Sequence, residues 1–137
     1  MKNVLIDSDV ILDFFLDRKP FADDASVILS MCEMRQLNGF VTPIIISNVF
    51  YILSKSNKRD SVIDSLKLLI SFIDVVNINK EIVIQSLNSN FNDFEDALQN
   101  YAAEYSNKIS TIITRNKKDY KNSNLSVFTP TEFLKTL

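Results

Sequence analysis

The sequence predicts an α/β fold in which crossover helices connect the strands of a parallel sheet. Three observations carry this. Strand-like runs alternate with helix-spaced segments along the whole chain, the pattern of repeated βα units. The first run, Val4-Leu5-Ile6, is continuously apolar and then stops at an acid, Asp7. The 137 residues include only one glycine and three prolines, which leaves little room for linkers and suits a single domain over 1–137.

The elements follow in order. Lys2 to Ile6 reads as the first strand, and Val10 to Leu16 as a short helix leaving it, with Ser8 or Asp9 placed to cap its first amides. Ala22 to Leu37 is a longer helix, with Asp23 and Asp24 in its first turn and Asn38-Gly39 as its stop. Phe40-Val41 is a short strand. Thr42-Pro43 then opens a helix to about Ser54 as N-cap and first helical residue. Residues 60–72 carry Val62, Leu66, Leu69, Ile70 and Ile73 along one helical stripe. Val75-Val76 is strand-like and Lys80 to Leu87 helical. Asn92 to Tyr105 is the best-marked helix: Asn92 and Glu95 form a capping-box pattern, and Phe94, Ala97, Leu98, Tyr101 and Tyr105 recur at helical spacing. Ser110 to Thr114 is a β-branched strand, and Arg115 to Leu125 a polar loop. Val127-Phe128 is the last strand, and Thr129-Pro130-Thr131-Glu132 opens the final helix with a capping box.

Composition narrows the chemistry. Histidine is absent, which removes Ser-His and Cys-His nucleophiles and imidazole metal ligands. Cys32 is the only cysteine, so no internal disulfide forms and a reducing compartment is expected. The formal net charge of -2 means that any nucleic acid is bound by a local patch. Acids interrupt the apolar N-terminal stretch, and Asn38, Gly39, Pro43 and Asn48 break the uncharged 36–54 stretch. A soluble, cytoplasmic protein with no membrane partner is the expectation.

Ligands of open parallel sheets gather beyond the carboxyl ends of the strands. The acids expected there are Asp7, Asp96 and Asp119, and between them in sequence Asn48 lies near the apolar stripe of its helix. Carboxylates brought together repel, and one holds a proton unless a cation sits between them. Oxygen donors without His or Cys favour Mg²⁺ or Mn²⁺. Such an ion activates a water and steadies charge on a phosphodiester, so phosphate-ester hydrolysis is the expected reaction. Arg115, Lys117 and Lys118 beside Asp119, with Lys121, and Lys55, Lys58 and Arg59 at the end of the Asn48 helix, are candidate phosphate contacts.

Plainer roles compete at each position. Asp7 pairs with Arg115 in one such account, Asp9 is a helix N-cap and Asp13 a solvated helix residue. Asp93 and Glu95 are explained by capping and the helix dipole. Asp119 is an ordinary loop acid, Asn48 an amide bonded to backbone, and the basic run a solvated face.

Three stretches in register resemble a known family. Val4-Leu-Ile-Asp7-Ser-Asp9-Val-Ile-Leu-Asp13-Phe, Asp93-Phe-Glu-Asp96-Ala-Leu-Gln and Thr114-Arg-Asn116-Lys-Lys-Asp119-Tyr look like a PIN domain of the VapC-like toxin branch. The resemblance implies a three-layer α/β/α sandwich with a central parallel sheet and an acidic pocket. It implies a Mg²⁺- or Mn²⁺-dependent endoribonuclease, with RNA as substrate, often a homodimer and often inhibited by an antitoxin. Asp7 matches the first family acid and Asp96 the one in the late helix. The last position falls within Asn116 to Asp119, with Asp119 preferred and Asn116 kept as a second candidate. The departure is Asn48, where the family usually has Glu, and no acid lies between Asn38 and Arg59 to replace it.

Three functions follow for testing. The first is a ribonuclease in which Asp7, Asp96 and Asp119 hold the metal, with Asn48, Asn116 and Arg115 assisting. The alternative is a catalytically weakened module that binds RNA or a partner protein. The third takes Asp7-Ser-Asp9 as the nucleophile pair of a haloacid-dehalogenase-like phosphatase, but Val10-Ile11-Leu12 follows where small residues and Thr are expected.

Overall fold

The structure is a computed structural model describing residues 1–137. Its first strand, β1 (Asn3–Ile6), is central because Val4, Leu5 and Ile6 are wholly buried and leave no face for solvent. Helix α1 (Ser8–Phe15) and helix α2 (Ala22–Glu33) follow, then β2 (Asn38–Val41), α3 (Pro43–Leu53), α4 (Arg59–Ile70) and β3 (Asp74–Val75). The second half runs α5 (Lys80–Leu87), α6 (Phe94–Tyr105), β4 (Thr111–Ile113), a 3₁₀ turn over Lys117–Tyr120, β5 (Ser126–Phe128) and α7 (Pro130–Leu134). The strands form one five-stranded sheet in the order β3-β2-β1-β4-β5, every pair parallel. Seven helices flank it, as expected of the α/β sandwich. No helix is long and apolar enough to cross a membrane.

The register fixes what meets at the carboxyl edge. Ile6 pairs with Ile113, and Leu5 with Phe40. One residue beyond the Ile6–Ile113 pair and two beyond the Leu5–Phe40 pair, Asp7, Thr114 and Thr42 therefore stand side by side at the end of three adjacent strands. One core of 26 buried residues lies against the sheet, and Ile82, Leu98 and Ala102 form a smaller one between α5 and α6.

Several boundaries moved, for physical reasons. α2 ends at Glu33, Arg35 turns the chain at φ 60°, and Asn38-Gly39 belongs to β2 instead of capping the helix. Gly39 is required by close packing: a Cβ there would stand 2.7 Å from the Cys32 sulfur. The cap of α6 is Asp93, not Asn92; its carboxylate accepts from the Asp96 amide at 3.0 Å. α1 is capped by Asp7, which accepts from the Ser8 amide, and not by Ser8 or Asp9. The loop after β4 contains the 3₁₀ turn. Thr42 with Pro43, and the Thr129–Glu132 capping box, stand as the sequence indicates.

Candidate active site

Asp7 is the floor of the site and is 7% exposed. Its Oδ1 accepts the Ser8 amide at 2.8 Å, and its Oδ2 accepts the Thr114 hydroxyl at 2.9 Å and the Tyr120 hydroxyl at 3.2 Å. Gln99, 2% exposed, lies against the same group and places its Nε2 3.5 Å from the Tyr120 oxygen. All these partners are neutral. Burial raises the Asp7 pKa, and the hydrogen bonds from Thr114, Ser8 and Tyr120 only partly oppose it. Burial and the charges of Asp7 and Asp96 push the Tyr120 phenol upward, which keeps it a neutral donor.

Asp9 faces the site as well. Its Oδ2 accepts the Arg115 amide at 3.0 Å, and the Thr114 hydroxyl and the Asn116 side-chain amide at 3.4 Å each. Its Oδ1 is buried and has no hydrogen-bond partner. Burial and the neighbouring Asp7 charge raise its pKa to about 6. A reading of Asp9 as a helix cap misses this role; the signal for it was its place two residues after a strand-end acid.

α6 brings Asp96 up from the other side. Its pKa rises to about 7, through burial first and then the charges of Asp7, Asp93 and Asp119. Asp96 is thus within electrostatic reach of Asp7 and Asp119, and Asp9 within reach of Asp7. Asp119 sits exposed on the 3₁₀ turn on the Asp96 side, whereas Asn116 reaches Asp9. Both candidates for the last position therefore border the cluster. Asn48, half-buried on α3, bonds not to backbone but to Glu95 of α6, with Nδ2 to Oε2 at 3.2 Å.

No basic side chain pairs with Asp7 or Asp96, and the Arg115 charge only partly offsets the rise at Asp9. Arg115 does not pair with Asp7: its Nε and Nη2 hold Asp13 at 2.6 and 3.0 Å, and its guanidinium stacks 4.0 Å from the Phe21 ring centre. Asp13 is fully buried, not solvated, because its helix face turns inward against that arginine, with Arg18 at 3.5 Å behind it. Lys117 pairs with Glu132 at 3.1 Å, and Lys118 is exposed. Tyr120, Thr114 and Gln99 were not singled out from sequence. The first two lie inside the Thr114–Tyr120 stretch and Gln99 closes the Asp93–Gln99 stretch, so the motifs held all three without indicating that they meet Asp7.

No three acids close around one point as a finished metal cage. The donors are nevertheless all oxygens, Arg115 and Lys117 are engaged elsewhere, and one buried carboxylate oxygen has no partner. Those properties suit a hard divalent cation, which keeps several waters and needs only one or two carboxylates beside a substrate phosphate. A cavity of about 450 Å³ lined by Phe21, Arg115 and Thr129 lies beside this edge, on the far side of the Arg115 side chain. Another of about 420 Å³ is lined by Phe40, Asp74 and Tyr105.

The chain resembles known proteins along nearly its whole length. The chain is 24% identical over 137 residues to "Ribonuclease VapC1" of Aquifex aeolicus (strain VF5), covering 96% of this chain and 93% of that protein. A toxin-antitoxin complex from Klebsiella pneumoniae contains a chain of the same fold, with TM-score 0.70, 22% identity, and coverage of 93% of this chain and 97% of that one. VapBC-1 from nontypeable Haemophilus influenzae gives TM-score 0.67 at 14% identity, covering 94% and 98%. The family model of the PIN domain matches residues 3–118. With the strand-end acids, the parallel sheet and that match in agreement, the chain belongs to the PIN domain family.

Proposed function

We propose that the protein is a Mg²⁺- or Mn²⁺-dependent endoribonuclease of the VapC type that hydrolyses RNA phosphodiesters. The observation that carries this reading is the cluster of Asp7, Asp9 and Asp96, gathered at the sheet edge with no cationic side chain on Asp7 or Asp96. Asp7 and Asp96 hold the metal, Asp119 approaches from the 3₁₀ turn, and Asp9 offers its unpartnered Oδ1. When bound, the cation supplies Lewis-acid stabilisation of the phosphate oxygens and favours deprotonation of water.

The chain's own groups do the rest. Thr114, Tyr120 and the Ser8 amide fix the Asp7 carboxylate so that it does not rotate away. Asp96, raised to about 7 by burial and the neighbouring acids, holds a proton near neutrality that a bound cation would displace. The exposed Lys118 is free to meet a phosphate, while Arg115, committed to Asp13, holds the loop from β4 against α1. An antitoxin protein and a second copy of the chain are the proposed partners, since its structural neighbours include toxin-antitoxin complexes.

The test compares RNA cleavage by wild type and Asp7→Asn, with and without Mn²⁺. Metal-stimulated cleavage by wild type alone is expected, and equal cleavage by both would remove Asp7 from the mechanism. Asn48 favours a second reading, a weakened module that binds RNA without turnover. It requires salt-sensitive RNA binding and no cleavage at any Mn²⁺ concentration.

A further inference from the structure

Arg115 stands between the acidic edge and the cavity of about 450 Å³ behind it. Its backbone amide donates to Oδ2 of Asp9 at 3.0 Å, whereas its guanidinium turns away, holds Asp13 and lies 4.0 Å from the Phe21 ring centre. Phe21, Asp24 and Thr131 line the cavity with it. The volume falls in the range of about 300–1,000 Å³ usual for ligand pockets. We propose that the cavity is a nucleobase subsite: one unpaired base of the RNA, next to the phosphate at the acidic edge, stacks on the Phe21–Arg115 pair and turns an amino group toward Asp24. This rests on the RNA-nuclease reading and goes beyond it by naming where, and by what chemistry, a base is recognised.

Two features favour a base over other occupants. The first is a flat surface with a fixed plane. Phe21 is 41% exposed at the start of α2. The bonds from Nε and Nη2 to the buried Asp13 hold the guanidinium still, and Nη1 enters neither of them. Aromatic rings and guanidinium planes are the surfaces on which bases of single-stranded RNA stack. The second feature is a carboxylate placed to read a base edge. Asp24 accepts the Thr131 hydroxyl through Oδ2, which ties α2 to α7 and leaves Oδ1 outside that bond. Asp24 enters no ion pair, so its charge turns a phosphate away and favours an N–H donor. A carboxylate accepts from the amino group of cytosine. Uracil carries a carbonyl oxygen at the same place, and two acceptors repel. Amino-bearing bases are therefore the preferred ligands.

The plain account is that Phe21 only shields the Asp13–Arg115 pair and that Asp24 with Thr131 only clasps two helices. Fluorescence anisotropy of short labelled oligocytidine and oligouridine, at low salt and in chelator so that nothing is cleaved, separates the two accounts. Wild type should bind oligocytidine at least about 5-fold more tightly than oligouridine, the low end of what one base-edge contact discriminates. Asp24→Asn keeps an oxygen for Thr131 and loses the charge, and should close most of that gap. Phe21→Leu keeps an apolar cover over Arg115 but no ring, and should weaken oligocytidine binding about 5- to 100-fold, the loss of one stacked base. Phe21→Tyr keeps the ring and should bind as wild type does. Unchanged affinity in Phe21→Leu, an equal loss in Phe21→Tyr, or a wild type that binds neither oligomer or shows no preference would each overturn the subsite. The nuclease reading then still stands or falls by its own test, cleavage by wild type against Asp7→Asn.

Discussion

The pair Asp13–Arg115 offers the sharpest prediction about how the site is assembled. Asp13 has a side chain 1% exposed, and Arg115 reaches it with two nitrogens at 2.6 and 3.0 Å. Arg115→Met keeps an apolar stem beside Phe21 but leaves a buried carboxylate with only Arg18, 3.5 Å away. Removing one partner of a buried pair costs about 3–5 kcal/mol. Arg115 is 26% exposed, so solvent weakens the pair, and with Arg18 remaining about 2–3 kcal/mol is the reasonable loss. For a domain of this size that lowers Tm by roughly 6–15 °C. Asp13→Leu with Arg115→Met removes both charges and should recover much of the loss. Thermal melts of the two single variants and the double variant measure the coupling. Additive losses, or an Arg115→Met protein melting within about 2 °C of wild type, a shift too small for a broken buried pair, would refute the reasoning.

Two further perturbations test other parts of the structure. Asp96 and Asp9 are pushed to about 7 and about 6, above their ordinary carboxylate value. The folded protein thus holds protons that the unfolded chain releases, so stability present at about pH 4 is lost as pH rises through 6 and 7. Metal-free melts should therefore fall between about pH 4 and pH 7, from the ordinary carboxylate value to the raised ones, and level off above that, while Mn²⁺, competing with those protons, stabilises most at the upper end. Equal stabilisation by Mn²⁺ at both ends would contradict the assignment. Gly39→Ala drives a Cβ to 2.7 Å from the Cys32 sulfur and should cost about 1–3 kcal/mol in urea melts. Cys32→Ala in the same chain should relieve most of that loss.

The sheet was legible because its signals are local and strong. Val4-Leu5-Ile6 has no polar face, Thr42-Pro43 and Thr129-Pro130 mark helix starts unambiguously, and the acid at the end of β1 announces the site edge. What stayed hidden depends on partners distant in sequence. Asp13 looks like a surface acid until Arg115, 102 residues away, is folded against it. Gly39 looks like a helix stop, because nothing local says that α2 will lie on the sheet at Cys32. Asp9 fits a capping pattern, and only the register of β1 against β4 sets it beside the Arg115 amide. Glu95 fits one equally well until α3 presents Asn48 to it.

Diffraction from crystals soaked in Mn²⁺, recorded to bring out the manganese anomalous signal, addresses the shared cation without intermediaries. One peak at the carboxyl edge of the sheet, between Asp7 and Asp96 and bordered by Asp9, is the predicted result. Crystals that bind no manganese there, with Asp7 still held only by Ser8, Thr114 and Tyr120, would contradict the account.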